Sequence, residues 1–173
     1  MKIKSQIAGF IGLSIFTLTS FSSCFSVRYD TKGGAEVQGS TISVQYFDNR
    51  ASRVEPTLSQ RLTDELKNYM ESNTRLRVVN SIGDHDFSGE IKDYKITPVA
   101  IAAGDQAAKT RFTITVRVKY TNSLDPDSSF DSSFSRFRDF DSTKDFSQVE
   151  AELSEEILEE IIEQIFNKAF VNW

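Results

Sequence analysis

Eleven residues in the second half of the chain alternate without a break. Across Arg111–Thr121, Phe112, Ile114, Val116, Val118 and Tyr120 fall on one side of an extended backbone, and Thr113, Thr115, Arg117 and Lys119 fall on the other. Successive strand side chains point to opposite faces, so this segment must sit in a sheet with one face on a core and one in water. That division is typical of antiparallel sheets. The following Asn122–Ser128 reads as a turn by composition. Phe130–Phe140 then returns as a hairpin partner, with Phe130, Phe134 and Phe140 of one parity and Phe137 of the other.

Other strands follow from the same period. Thr41–Phe47 alternates with Ile42, Val44 and Tyr46 on one face, and Leu76–Asn80 is a short strand. Phe87–Val99 changes phase: Phe87, Gly89 and Ile91 share one parity, Tyr94 and Ile96 the other. A one-residue slip moves every side chain to the opposite face, which predicts a bulge near Lys92-Asp93. Pro98 closes that strand or marks an edge. The Ala-rich segment Val99–Lys109 is read as a connecting loop.

Two segments carry a helical period instead. After Thr57-Leu-Ser-Gln60, which has capping-box form, Leu58, Leu62, Leu66, Tyr69 and Met70 make one stripe that ends near Ser72-Asn73. Ser147-Gln-Val-Glu150 is a second capping box. Val149, Leu153, Ile157, Ile161 and Ile165 form one row behind it, and Leu158, Ile162 and Phe166 form the next. Acidic residues crowd the first turns and Lys168 lies in the last, as the helix dipole favours. The expected fold class is α+β: a two-layer sandwich in which a mostly antiparallel sheet of four to five strands carries two helices on one face.

The N-terminus is organised differently. Lys2 and Lys4 precede an uncharged run of 12 residues, Ile7–Leu18, and small residues lead to Cys24. This is the layout of a secretory signal peptide over 1–23, and the run is too short to span a bilayer, which takes ~20 apolar residues. Residues 24–39 read as a tether, and 40–173 as one globular domain. Cys24 is the only cysteine, so no internal disulfide can form, and a leftover thiol is a liability in an oxidising compartment. Ser22-Ser23-Cys24 resembles the lipobox of bacterial lipoproteins, with Phe21 departing from the usual aliphatic residue. The resemblance implies cleavage before Cys24 and acylation of its thiol, palmitate included.

Cleavage would remove two bases and no acids, leaving 18 basic against 25 acidic residues, a net charge of −7. An acidic chain argues against a general nucleic-acid partner, which needs clustered bases to meet phosphates. Signatures of chemistry are scarce. His85, the only histidine, is read as a turn residue between strands, and one His specifies neither a metal site nor a catalytic triad. The pairs Asp125/Asp127 and Asp139/Asp141 are read as solvated turn and edge residues. Catalytic residues, metal ligands and cofactors are therefore not expected. One segment stands out: Phe134-Ser-Arg-Phe-Arg-Asp-Phe140 interleaves aromatics with Arg136 and Arg138. These two arginines are the candidate contacts for an anionic amphiphile; the alternative is that they cover an edge strand.

Several stretches resemble one family when taken in order. They are Ser43–Arg50, Pro56–Gln60, Phe87–Ile91, Arg111–Val116, Ser132–Arg136 and Ile165–Trp173. Together they are similar to the outer-membrane lipopolysaccharide-assembly lipoprotein LptE in its Bacteroidota form. The resemblance implies a non-enzymatic subunit anchored to the outer membrane on its periplasmic side. Such a subunit plugs the LptD β-barrel translocon, helps it assemble and contacts lipopolysaccharide. The second reading is a free-standing periplasmic lipoprotein that binds a soluble or cell-wall ligand. Phe25–Arg28 lacks the acidic run of Bacteroidota surface-export signals, in keeping with the periplasmic side.

Overall fold

The computed structural model describes residues 37–53, 55–99 and 108–171. The segments read as signal peptide, Cys24 and most of the tether, the segment 100–107 read as part of a connecting loop, and the last two residues lie outside the described residues. Strands β1 (Thr41–Val44) and β2 (Asp48–Asn49) lead to helix α1 (Leu58–Asn73) and strand β3 (Arg77–Val78). The long strands β4 (His85–Val99), β5 (Lys109–Asn122) and β6 (Phe130–Asp141) follow. Helix α2 (Phe146–Phe166) and a π-helical turn (Asn167–Val171) complete the chain.

The expected α+β class holds, with a mixed sheet. Its order is β3-β1-β4-β5-β6, with β2 also paired to β4. β4, β5 and β6 form an antiparallel meander, whereas β1 pairs in parallel with both β3 and β4. Among the described residues there are six strands, because the line beside β4 is broken in two: β1 pairs with the start of β4 and β2 with a later stretch. Both helices cover the same face. Leu58, Leu62, Leu66 and Met70 of α1 and Ile157, Leu158, Ile161, Ile162 and Ile165 of α2 meet Phe87, Ile91, Phe112, Ile114, Val116 and Val118 in one core. The predicted phase change in β4 is a bulge between Ile91 and Asp93, beyond which Tyr94 pairs with Ile114 and faces inward again.

Three local expectations are corrected. Tyr46 does not share a face with Ile42 and Val44; it is 56% exposed and Phe47 is buried in its place. Regular pairing stops at Val44, and Phe47 turns in with its N–H on Thr63 Oγ1 at 3.2 Å. An aromatic ring without a hydroxyl enters a dry core at lower cost. Neither capping box forms as read. Thr57 makes no side-chain cap, its hydroxyl donating instead to Glu55 Oε1 at 2.8 Å. At α2 the cap is Asp145, whose carboxylate accepts from the N–H of Ser147 at 2.9 Å and from its hydroxyl at 2.8 Å. A carboxylate is the stronger acceptor for the free N–H groups of a helix start.

His85 is the third correction. It opens β4 as a buried residue rather than occupying a turn. Its Nδ1 lies 2.8 Å from the Tyr120 hydroxyl and its Nε2 lies 2.6 Å from the Gln38 carbonyl oxygen. Beside it Asp84 ties the chain start to the sheet, accepting from the N–H of Ser40 at 2.9 Å and of Thr41 at 3.0 Å. These donors hold the Asp84 carboxyl below the ordinary aspartate range. A depressed folded pKa contributes stability above the unfolded value of about 4 and loses it as pH falls through the folded pKa. Asp84→Asn should therefore be less stable than the parent near neutrality, with the gap closing below about pH 4. Urea unfolding of both proteins at several pH values checks this, and a gap independent of pH would refute it.

Candidate functional site

The helices leave the other face of the sheet uncovered, and β6 is one of its two margins among the described residues. Hairpin geometry organises that face. Arg111 lies opposite Asp139 in register, and their side chains form a two-point ion pair at 2.7 and 2.9 Å. Arg117 reaches diagonally to Asp131, with both contacts at 2.8 Å. Thr115 and Ser135 hydroxyls meet at 3.0 Å between the two pairs. The arginines hold the Asp131 and Asp139 carboxyls below their ordinary range. Phe137, 47% exposed, is the large apolar residue of this surface, and the Arg111 guanidinium stacks 3.6 Å from its ring centre. The face is thus polar, cross-linked between strands and nearly balanced in charge.

Arg136 and Arg138 are elsewhere. They share the parity of Phe134 and Phe140, so they lie on the helix side of β6 at the sheet margin. Arg138 binds Glu156 through Nε and Glu160 through a terminal nitrogen, while Arg136 Nε lies 3.3 Å from Glu160 Oε2. Each guanidinium also caps a backbone oxygen of its own strand: Arg136 that of Ser135 at 2.9 Å, and Arg138 that of Phe137 at 3.1 Å. The two arginines clamp α2 to the edge of the sheet and occupy carbonyls that a further strand would need. An anionic ligand at this place competes with two carboxylates already bound. The pairs are part-exposed, and such ion pairs contribute at most about 1 kcal/mol each. Arg138→Ala, which breaks two such pairs, should therefore lower stability by roughly 2 kcal/mol or less. The loss should shrink in high salt, as chemical denaturation with and without added salt would reveal.

Next to this margin, between the end of α2 and the β5–β6 turn, lies an open cleft of about 710 Å³ lined by Asp125, Asp127, Phe130, Phe134, Gln164 and Lys168. Lys168 Nζ stands 4.8 Å from the centre of the Phe130 ring and donates to Ser132 Oγ at 2.6 Å. Of the acidic pairs, Asp125 and Asp127 rim this cleft, while Asp139 is held by Arg111 and Asp141 accepts from the Thr143 N–H at 2.9 Å. Sequence reasoning did not single out the Arg111–Asp139 and Arg117–Asp131 pairs. Their signal was present, since folding the two strands about the turn after Asn122 brings Arg111 opposite Asp139 and Arg117 diagonally across from Asp131. Among the described residues no three His, Cys, Asp or Glu side chains converge as metal ligands, and no helix is long and apolar enough to cross a membrane.

This two-layer domain, with one face under helices and one open polar face, is a fold shared with other bacterial proteins of known structure. Solved structures that share it include uncharacterized lipoprotein B from Nitrosomonas europaea (10% identity, TM-score 0.50, 75% of this chain and 81% of that one). Others are hypothetical protein CT253 from Chlamydia trachomatis (8%, 0.53, 78% and 99%) and protein XCC0632 from Xanthomonas campestris (14%, 0.52, 80% and 87%). At these identities the likeness is one of fold. No curated protein matches by sequence. Residues 40–169 match the model of the LptE lipopolysaccharide-assembly family, and the chain belongs to that family.

Proposed function

We propose that this protein is a non-enzymatic outer-membrane lipoprotein, acylated at Cys24 and facing the periplasm, that plugs an LptD-type β-barrel and helps it assemble. In that position it assists the passage of lipopolysaccharide to the cell surface. Family membership supports the reading. The observation that carries it furthest is the uncovered sheet face: a plug must keep a rigid shape while presenting polar groups to a wet lumen. The Arg111–Asp139 and Arg117–Asp131 cross-links provide such a surface. Arg136 and Arg138 remain the candidates for contact with the anionic glycolipid, through exchange of their Glu156 and Glu160 partners for its phosphates.

The decisive experiment is purification of the full-length lipidated protein from outer membranes in mild detergent, with its companions identified by mass. A large β-barrel at one-to-one stoichiometry is the expected result. Recovery of the lipoprotein alone, under conditions that keep other barrel complexes intact, would overturn the plug reading in favour of a free-standing binder. Charge reversal at both Arg136 and Arg138 with lipopolysaccharide binding unchanged would remove those two residues from the contact.

A further inference from the structure

One end of the domain gathers features that the plug reading does not use. The chain enters the fold there: Gln38 is bonded to His85, and Gly39 takes a left-handed turn at φ 102°. Leu124 closes over that turn, since a Cβ on Gly39 would stand 3.0 Å from Leu124 Cδ1 and 3.3 Å from Asp84 Cβ. The hydrogen bond from the Ser123 N–H to the Asp84 carbonyl, at 2.9 Å, joins the turn carrying Leu124 to the turn carrying Ile82. Phe170 packs edge-on against His85 at 5.3 Å, which brings Val171 to the same end. Ile82 is 81% exposed and Leu124 is 51% exposed. With Val171 they are three of the five large apolar side chains most exposed among the described residues.

Scattered exposed apolar residues need no explanation, but a group of them at one end does. The position of the anchor says what covers this one. Cys24 precedes Val37 by 13 residues, a span of at most about 45 Å even when fully extended. An acylated Cys24 therefore brings this end of the domain, before any other, to the bilayer. We infer that, until the domain enters its barrel, Ile82 and Leu124 insert into the lipid surface, docking the domain with its tether end on the inner leaflet and the Asp141–Asp145 end pointing away. The inference rests on the lipid-anchor reading of Cys24. Contact is apolar rather than electrostatic, because Asp125 and Asp127 flank Leu124 and would be repelled by anionic headgroups. The chemistry selected is a zwitterionic surface with accessible acyl chains.

The test uses lipidated full-length protein in vesicles of phosphatidylethanolamine and phosphatidylcholine. Ile82→Cys, Leu124→Cys and the control Lys144→Cys are each labelled with an environment-sensitive fluorophore, the only native thiol being taken up by acyl chains. Emission at 82 and 124 should shift to the blue and be quenched by lipid-borne quenchers, while emission at 144 stays aqueous. Aqueous emission at all three positions, with acylation of Cys24 confirmed by intact mass, would overturn the docking and leave the anchor standing. A shift at 82 and 124 that needs an added barrel would equally overturn it, by assigning the surface to protein. If intact mass shows Cys24 unacylated, the anchor reading fails first, and docking is judged separately by vesicle flotation of the full chain carrying Cys24→Ser. That chain should partition about a hundredfold more strongly than one with Ile82→Asp and Leu124→Asp added, as burial of two aliphatic side chains requires. Equal partition would end the inference.

Discussion

Gly89→Ala is expected to be the most damaging single substitution in the sheet, costing about 3 kcal/mol or more of folding stability. Gly89 sits in β4 opposite Val118 of β5. A Cβ there would stand 2.1 Å from the Arg117 carbonyl oxygen and 2.6 Å from Cε1 of Phe47. The first obstacle is backbone and can yield only if β4 and β5 separate at their middle. The second is the fully buried ring that turned into the core where β1 ends. A strand glycine of this kind marks close approach of a neighbour rather than a need for flexibility. For a chain of this size each kcal/mol lowers the melting temperature by about 2–4 °C, so a fall near 10 °C is anticipated. Denaturant unfolding should show a lower midpoint with an unchanged slope. A loss below about 1 kcal/mol would mean that β4 passes its neighbours less closely than described.

Cys24→Ser should have the largest effect on where the protein resides. Each buried methylene of an acyl chain contributes about 0.8 kcal/mol, so two or more chains hold a protein to a bilayer through many turnovers of its binding equilibrium. Serine offers no thiol to acylate. The variant should leave the outer-membrane fraction for the soluble periplasmic fraction, while its thermal unfolding stays unchanged, because the described core is built from Val37 onward. Fractionation with immunodetection reads the first outcome and melting of the purified protein the second. A variant that stays in the membrane fraction would show that the anchor is elsewhere.

Much of the fold was legible because it is written in local periods. The alternation of Phe112–Tyr120, the phase change at Lys92-Asp93 and the double stripe of α2 each specify a face, and each face is where the sequence pattern put it. The parallel pairing of β1 with β3 and β4 was not legible. It rests on partners more than thirty residues apart, Thr41 with Arg77 and Ile42 with His85, and period-two patterns say nothing about which strands meet. The position of His85 was hidden for the same reason, since its burial depends on Gln38 and Tyr120. The facing of Arg136 and Arg138 was open to inspection: they share parity with Phe134 and Phe140, and Glu156 and Glu160 lie one helical turn apart, spaced to receive them. What parity could not supply was which helix lies across that margin.

The broken parallel edge has a consequence for how the chain comes to be folded. If the chain is exported from its N-terminus, as proposed, β1, α1 and β3 emerge first, but β1 and β3 share only two rungs, and the strand that completes their pairing is β4. Until His85–Phe87 has emerged, the stripe of Leu58, Leu62, Leu66 and Met70 has no sheet to cover. The second half, by contrast, is a meander of sequence neighbours closed by the helix that follows it, an arrangement of short loops that forms rapidly. The later half is thus the template for the earlier one. On the proposed export route, translocation leaves a waiting interval in which the leading segment is apolar and unpaired, the period when a holding chaperone in the periplasm matters most.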